Sequence, residues 1–193
     1  PELGAHHIVP ALSSWMAAHP ALQMHFEADN RYIDLIDERI DIAIRMSLTL
    51  SDSSLVARPM TKVDQVLCAS PAYLRQAVPL HHPSELIEHQ LIAISLMKDV
   101  QELSFKHAKN DEQVQVHVPS RINTNNVFLM KSLCLGGHGL ARLLYLDVQK
   151  ELARGELVEV LPTWQLPDYT LYALTLRREQ QPLKIVRCLE ALA

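Results

Sequence analysis

The feature that most constrains the fold of this chain is a repeated switch between the helical and the strand period of its apolar residues. Helical spacing over residues 5–18 gives way to alternation in ALQMHFEA (21–28), returns over residues 31–40, and alternates again in DIAIR (41–45). This order predicts an α/β domain with a largely parallel sheet. Such a unit usually opens with a strand, and we expect that strand to precede residue 1.

The predicted helices and the first strand of this half each have a defined apolar face. The first helix places Ile8, Leu12, Trp15 and Met16 on one side. Pro10 is compatible with that helix only in its first turn, where its missing N–H has no helical partner. The second helix is expected to bury Ile33, Ile36 and Ile40, and the strand between the helices Leu22, Met24 and Phe26. After DIAIR, the segments SSLVARPM (53–60) and QVLCAS (65–70) predict two more extended elements.

From Pro71 a second series of elements begins. PAYLRQA (71–77) and HHPSELIEH (81–89) predict short helices, QLIAISL (90–96) a strand, and the alternating valines of QVQVHV (113–118) another. NVFLMKSLCLGG (126–137) predicts a helix that turns Phe128, Leu129, Ser132 and Leu133 towards the core and ends at Gly136 and Gly137. HGLARLL predicts a strand, YLDVQKELARG a helix, TLYALTLRR a strand and PLKIVRCLEALA a final helix.

Two α/β units joined by long extended segments predict two lobes. The segment near residues 62–70 would cross from the first lobe to the second, and the segment near 160–172 would cross back. We therefore expect lobe one to comprise residues 1–69 and 170–193, and lobe two residues 70–169. A cleft between such lobes, at the carboxyl ends of the strands, is where α/β proteins usually bind small ligands.

Composition excludes several classes of protein. The 193 residues are 48% hydrophobic and 21% charged, which is an ordinary globular mixture, and the net charge of −4 argues against a nucleic-acid-binding surface. No apolar run approaches the ~20 residues of a membrane span. Three widely spaced cysteines indicate core thiols in a reducing cytoplasm. Because the chain begins at Pro1 without Met, we expect it to be a fragment of a longer protein.

Motifs for catalysis, metal binding or a cofactor do not occur in this sequence. It contains no G-x-S-x-G, HExxH or GxxxxGK[ST] pattern, and the glycine-rich LGGHG (135–139) follows a helix where a phosphate loop would precede one. The adjacent histidines at 6–7 and 81–82 point apart on a helix or a strand, which is unsuited to holding one metal ion. We expect a protein that is not an enzyme and needs no cofactor.

Several segments together resemble one known family, the effector-binding domain of LysR-type transcriptional regulators. They are LIDERIDIAIR (35–45), DSSLVARPM (52–60), LCASPAYL (67–74) and SLCLGGHGLARL (132–143) with ELARGELVEVLPTW (151–164). The resemblance covers about residues 4 to 190. It implies a type-2 periplasmic-binding-protein-like fold with two Rossmann-like lobes. It also implies an N-terminal winged helix-turn-helix domain that is absent from this chain and would bind the DNA.

The resemblance assigns a ligand role to the turn at the end of DIAIR. This turn contains Arg45, the last residue of that segment, and Met46. In this family the turn faces the cleft and serves against small, often anionic inducers, and a guanidinium suits a carboxylate through two parallel hydrogen bonds. The alternative is a salt bridge from Arg45 to Asp41 or Asp52. Asp29, after the second predicted element, would lie at the cleft rim and would oppose an anionic ligand.

Further ligand contacts follow from the position of polar residues at predicted element ends. We expect Leu3 and Gly4 in the loop that enters the first helix, where free N–H groups bind anions. The remaining candidates are Ser70, Ser95, Thr124 and Asn125. For each of these, capping of the neighbouring helix is the alternative to ligand contact.

The resulting hypothesis is a cytoplasmic sensor that binds a small-molecule effector and relays the event to DNA-binding domains. A solute-binding protein of a transporter, which shares the fold, is the alternative, and an enzyme on this fold ranks third. The family resemblance also implies a homodimer of this domain and a homotetramer of the full-length protein. In that dimer the first helix would pack against the helix at 126–137 of the partner, with apolar side chains left over on each for contact. The alternative is that both helices are simply buried between the sheet and a neighbouring helix. Gly139 is expected in a conformation or a close contact that only glycine tolerates.

Overall fold

The computed structural model describes residues 3–29, 35–48, 55–94, 100–176 and 181–192. The chain divides into two compact units, the first formed by residues 1–62 and 169–193 and the second by residues 63–168. The strand Gln65–Ala69 pairs with strands of the second unit.

The described residues of the first unit include a three-stranded sheet and the helices α1 and α5. The helix α1 spans Val9–Ala18, and the strands are β1 (Ala43–Ser47), β2 (Leu55–Val63) and β10 (Tyr169–Leu176), in the order β1-β10-β2; α5 covers Leu183–Ala191. β1 and β10 are antiparallel. Two neighbouring strands are parallel when a crossover, usually a helix, connects them. β1 instead pairs with β10 from the far end of the chain, so the expectation of a largely parallel sheet is wrong for this pair.

The core of this unit lies between the sheet and α5. Ile185 and Leu189 of α5 pack with Ala173 of β10, and the half-buried Ile42 and Ile44 join them from the β1 side. Leu12 is the buried residue of α1, which packs against α5. The apolar periodicity that predicts α1, β10 and α5 therefore corresponds to real burial.

Two predicted elements of the first half do not form as expected. Residues 22–29 adopt no regular structure, so the strand predicted over 21–28 is wrong: a strand exists only through hydrogen bonds to a neighbour, which alternation alone does not supply. In the described part of the helix predicted over 31–40, residues 35–39 form a turn. There Leu35 is buried while Ile36 is exposed, and Ile33 lies outside the described residues.

The first helix begins earlier than predicted and starts irregularly. A π-helical turn, Gly4–Ile8, runs directly into α1, and Val9 N–H donates to the carbonyl of Gly4. Pro10 follows at the start of α1 and has no N–H to donate to an α-helical bond. A wide turn immediately before a proline is consistent with this missing bond, because such turns occur where the regular ladder is interrupted.

The second unit is built around a seven-stranded mixed sheet. Its elements are β3 (Gln65–Ala69), α2 (Pro71–Leu74), a 3₁₀ helix (Pro83–Glu88), β4 (Leu91–Ile94), β5 (Val100–His107), β6 (Gln113–Thr124), α3 (Val127–Leu135), β7 (Leu140–Leu144), α4 (Tyr145–Ala153), β8 (Val158–Glu159) and β9 (Trp164–Gln165). The strand order is β8-β3-β7-β4-β6-β5-β9. β4 is parallel to both β6 and β7, whereas the other pairs are antiparallel.

The strand β5 has no counterpart in the sequence prediction. Its buried positions alternate, but the first of them is Gln101 and only Leu103 and Phe105 are apolar. Two apolar residues are too few to distinguish a strand from a polar turn. β5 forms because it pairs with the strongly alternating β6, from Val100 opposite Pro119 to Lys106 opposite Gln113.

The orientation of α3 differs from the prediction. Met130 and Cys134 are its buried residues, whereas Phe128 and Leu129 are 62% and 50% exposed. The predicted core face with Phe128 and Leu129 is therefore wrong. A uniformly apolar helix has no single apolar stripe, so its periodicity does not determine which side meets the sheet.

Candidate functional site

Arg45 was predicted to be the last residue of its strand. It is instead the central residue of β1. It lies opposite Tyr172 of β10, and the ladder continues to Ser47 opposite Thr170. Because side chains alternate along a strand, Arg45 faces away from the side on which Ile42 and Ile44 enter the core. Its side chain is half-buried. Asp41, one of the alternative partners, accepts a hydrogen bond from Lys184 Nζ at 3.1 Å, and Asp52 lies outside the described residues.

The other first-unit candidates have less distinct surroundings. Met46 is exposed on β1, and Asp29 is exposed at the end of the irregular segment. Leu3 already has helical dihedral angles, and Gly4 begins the π-helical turn. The predicted entrance loop at these two residues is therefore wrong. A Cβ added at Gly4 would meet no atom within 4 Å, so packing does not require glycine there.

Thr124 lies at the end of β6, at the edge of the second sheet where parallel strands end together. It is level with Ile94, the last residue of β4, whose successor Ser95 lies outside the described residues. Thr124 is buried, and its hydroxyl accepts a hydrogen bond from Asn126 N at 3.1 Å. The ends of parallel strands are the usual ligand-binding edge of an α/β sheet.

The cap of α3 is Asn126, which the sequence analysis missed, and not Thr124 or Asn125. Its side-chain oxygen accepts from Leu129 N at 3.0 Å. Asparagine is among the preferred N-cap residues, so the sequence carried a signal for it. Asn125 is exposed beside this cap.

Ser70 lies at the opposite edge of the same sheet. It follows β3, which runs antiparallel to β7, with Cys68 opposite Ala141; β7 in turn is parallel to β4. The end of β3 is therefore near the beginnings of β4 and β7, whereas Thr124 is near the end of β4. Ser70 is buried, and its hydroxyl caps α2 by accepting from Tyr73 N at 3.4 Å. The structure does not bring Ser70 and Thr124 together.

A half-buried arginine that was not among the predicted site residues lies on β7, the strand next to β4. Arg142 occupies the centre of β7, flanked by buried apolar residues. It lines a small pocket together with the buried Gln101, Met130 and the residues of β4. Arg45 was predicted at the end of an apolar strand, whereas Arg142 lies inside one; a single arginine within the apolar run LARLL is the signal that would have identified it.

The three cysteines are free and buried, as predicted for core thiols. In the second unit Cys134 Sγ donates to the carbonyl of Cys68 at 3.4 Å. A hydrogen bond to Cys134 and burial both raise the pKa of the Cys68 thiol, so it stays protonated. Across the described ranges, no three His, Cys, Asp or Glu side chains are arranged to hold a metal ion. None of the helices in these ranges is long and apolar enough to cross a membrane.

Comparison with known proteins identifies related sequences along the entire chain. The model of the LysR substrate binding domain matches residues 1–193. The HTH-type transcriptional regulator PtxR of Pseudomonas aeruginosa is 30% identical over 186 residues, which are 96% of this chain and 59% of PtxR. The HTH-type transcriptional activator TtdR of Escherichia coli K12 is 30% identical over 190 residues, 98% of this chain and 60% of TtdR. The chain thus spans about 60% of the length of these relatives.

Solved structures with the same fold include two transcriptional regulators. The full-length Vibrio cholerae virulence activator AphB superposes with a TM-score of 0.82 at 24% identity, over 98% of this chain and 64% of AphB. The regulatory domain of CrgA from Neisseria meningitidis superposes with a TM-score of 0.81 at 22% identity, over 98% of this chain and 92% of the CrgA domain. These likenesses confirm the predicted α/β fold of the periplasmic-binding-protein-like type. Since the family model matches every residue from 1 to 193, the chain belongs to the LysR substrate-binding domain family.

Proposed function

We propose that this chain is the effector-sensing domain of a LysR-type transcriptional regulator. It binds a small molecule, and this binding controls how the complete protein acts on DNA. The observation that carries the proposal is the family match along the whole chain, together with relatives that are transcriptional regulators and are longer than this chain. The lobes would follow the two structural units, near residues 1–62 with 169–193 and residues 63–168.

The site residues that support this proposal best are Arg45 in the first unit and Thr124 in the second. Arg45 provides a fixed positive charge on a half-buried strand position, and Thr124 provides a hydroxyl where β4 and β6 end. The guanidinium of Arg45 would suit an effector with a carboxylate, and the hydroxyl of Thr124 would suit a polar group. Leu3, Gly4, Asp29, Met46, Ser95 and Asn125 remain proposed contacts. Ser70 also remains a proposed contact, with the cap of α2 through Tyr73 N as the alternative role.

A thermal-shift screen of small carboxylate metabolites tests the sensing role. We expect at least one class of compound to raise the melting temperature, because a ligand that binds only the folded state stabilises it. Arg45→Ala should then weaken binding about 10- to 100-fold, as the loss of a charge-assisted pair does. Arg58→Ala on β2, an exposed arginine in the same unit, serves as the control. A hit that binds Arg45→Ala as tightly as the wild type would contradict the role of Arg45.

DNA binding is proposed for the complete protein and not for this chain. The net charge of −4 leaves too little positive surface to neutralise phosphates. We therefore expect fluorescence anisotropy of a labelled duplex to show no saturable binding by residues 1–193 at low-micromolar concentration. Specific sub-micromolar binding by this chain would contradict the prediction.

The partners and location follow from the same proposal. We infer a cytoplasmic regulator whose sensing domains form homodimers and whose full-length form is a homotetramer. The alternative, a solute-binding protein of a transporter, is not favoured by PtxR, TtdR, AphB or CrgA, which are all transcriptional regulators. Reading the gene upstream of Pro1 separates the two: a helix-turn-helix and a linker helix support the regulator, and a secretory signal contradicts it.

A further inference from the structure

A buried histidine in the second unit makes one hydrogen bond and leaves its other ring nitrogen without a partner. His89 is only 4% exposed, and its Nδ1 lies 3.1 Å from the hydroxyl of Tyr73. The Nε2 atom of the same ring is buried with no hydrogen-bond partner in the structure. Because nearly all buried polar atoms in proteins are paired, this exception requires an explanation.

The hydroxyl of Tyr73 connects three elements of the unit. Tyr73 belongs to α2, while His89 and Gln90 directly precede β4. Gln90 N donates to Tyr73 Oη at 2.9 Å, and the carbonyl of Gln90 accepts from Leu140 N, the first residue of β7, at 2.8 Å. One continuous set of hydrogen bonds therefore anchors α2 to the beginnings of β4 and β7.

This arrangement fits a neutral imidazole and not a protonated one. Because the Tyr73 oxygen already accepts from Gln90, its own O–H is available to donate to an unprotonated Nδ1. In a protonated ring both nitrogens carry hydrogen, so Nδ1 could only donate, and the Tyr73 hydroxyl would have to turn its own hydrogen away and accept from both Nδ1 and Gln90 N. Nε2 carries a hydrogen in both states, but protonation adds a positive charge to a ring that is only 4% exposed and has no acceptor at Nε2, which is strongly unfavourable.

The surrounding charges do not reverse this preference. Burial lowers the pKa of His89, while Glu88 and Glu85 of the 3₁₀ helix act in the opposite direction. Glu85 is itself held by hydrogen bonds from His81 N at 2.7 Å and His82 N at 3.0 Å, which lower the pKa of its carboxyl. Burial raises the pKa of Tyr73, so its hydroxyl stays neutral. Proton uptake by His89 thus requires the ring to leave its present environment.

We propose that the Tyr73–His89 pair is a pH-sensitive anchor for α2. With His89 neutral, α2 is held against the starts of β4 and β7; with His89 protonated, the charged ring leaves its buried position beside Tyr73 and α2 shifts. The movement extends to the glycine-rich turn, because Gly137 packs against α2. A Cβ added at Gly137 would lie 3.5 Å from Ala72 Cβ. This anchor is separate from effector sensing. It responds to proton uptake, and it lies at the edge of the sheet opposite to Thr124.

An NMR titration of the 193-residue chain from about pH 8 to about pH 5 tests this anchor without any ligand. We expect the backbone amides of Ser70, Tyr73, Gln90 and Gly137 to shift with the same midpoint as the His89 ring nitrogens. In His89→Gln, which keeps a polar side chain but takes up no proton, these amide shifts should be lost. His81→Gln is the matched control. His81 is exposed and lies before the 3₁₀ helix Pro83–Glu88, which His89 follows, so its replacement should leave the titration of these amides unchanged.

A second variant keeps the test decisive if His89→Gln does not fold. Tyr73→Phe removes only the hydroxyl, so the amides of α2 should take their low-pH positions already at about pH 8. Three results would overturn the proposal: a His89 ring that stays neutral down to about pH 5, amides of α2 that stay constant in the wild type while the His89 ring titrates, or amides that titrate equally in His89→Gln. An effector screen without hits would leave this outcome unaffected, so the two proposals fail separately.

Discussion

Replacing Gly139 by alanine is expected to lower the free energy of unfolding of the second unit by about 3 kcal/mol or more. Gly139 has a φ angle of +151°, a region that residues with a side chain rarely adopt. An added Cβ would also lie 2.4 Å from the carbonyl oxygen of Gln90. That carbonyl accepts the hydrogen bond from Leu140 N that begins β7, so it cannot move aside without breaking this bond. The structure thereby confirms the predicted need for glycine at this position.

Urea unfolding of the variant and of Gly155→Ala separates the clash from the backbone strain. Gly155 has a φ angle of +70°, but an added Cβ there meets no atom within 4 Å. Gly155→Ala should therefore cost only about 1 kcal/mol, from the left-handed backbone alone. Equal losses in the two variants, or an unchanged midpoint for Gly139→Ala, would contradict the role assigned to the contact with Gln90.

Replacing Phe128 by glutamate is expected to convert the proposed homodimer into monomers, with the dissociation constant raised at least about 100-fold. Phe128 and Leu129 are the exposed apolar side chains of α3, and large exposed patches of this kind usually mark contacts. In a two-fold dimer each substitution acts twice, because both copies contribute the same surface. A buried carboxylate without a partner is strongly unfavourable at such a contact.

Sedimentation of wild type and variants at tens of micromolar measures this effect. On the opposite side of the proposed contact, Leu12 is unsuitable for substitution because it is 2% exposed and belongs to the core. Val9, on the same helix and 38% exposed, replaces it, and Val9→Glu should dissociate the dimer as well. Ile87→Glu, at an exposed residue of the 3₁₀ helix, is the control that should remain dimeric. A monomeric wild type would rule out the dimer as a stable property of this chain.

Element type was predictable wherever a local pattern and a boundary residue agreed. The strands β3 and β7 have clear apolar runs, and α2 begins with a serine cap followed by proline. The glycine-rich end of α3 was predictable for the same reason, since Gly137 has a φ angle of +82°. Local rules of this kind depend on neighbours in the chain, which the sequence contains.

The candidate site was predictable only in part. Thr124 was expected at an element end and lies there, because an end of β6 is a local feature of the chain. The placement of Ser70 and of Arg142 depended on strand direction: β3 is antiparallel to β7, which moves Ser70 to the far edge of the sheet. Strand direction is a property of pairs, so no single segment encodes it.

The sequence by itself determined the family, the α/β class and the positions where only glycine fits, because each depends on residue types in a local order. The tertiary structure alone decided that β5 is a strand, that residues 22–29 are not, and that Phe128 is exposed while Met130 is buried. It also decided that His89 is enclosed with Tyr73. Burial and pairing depend on which segments meet in space, and segments far apart in the chain supply those partners.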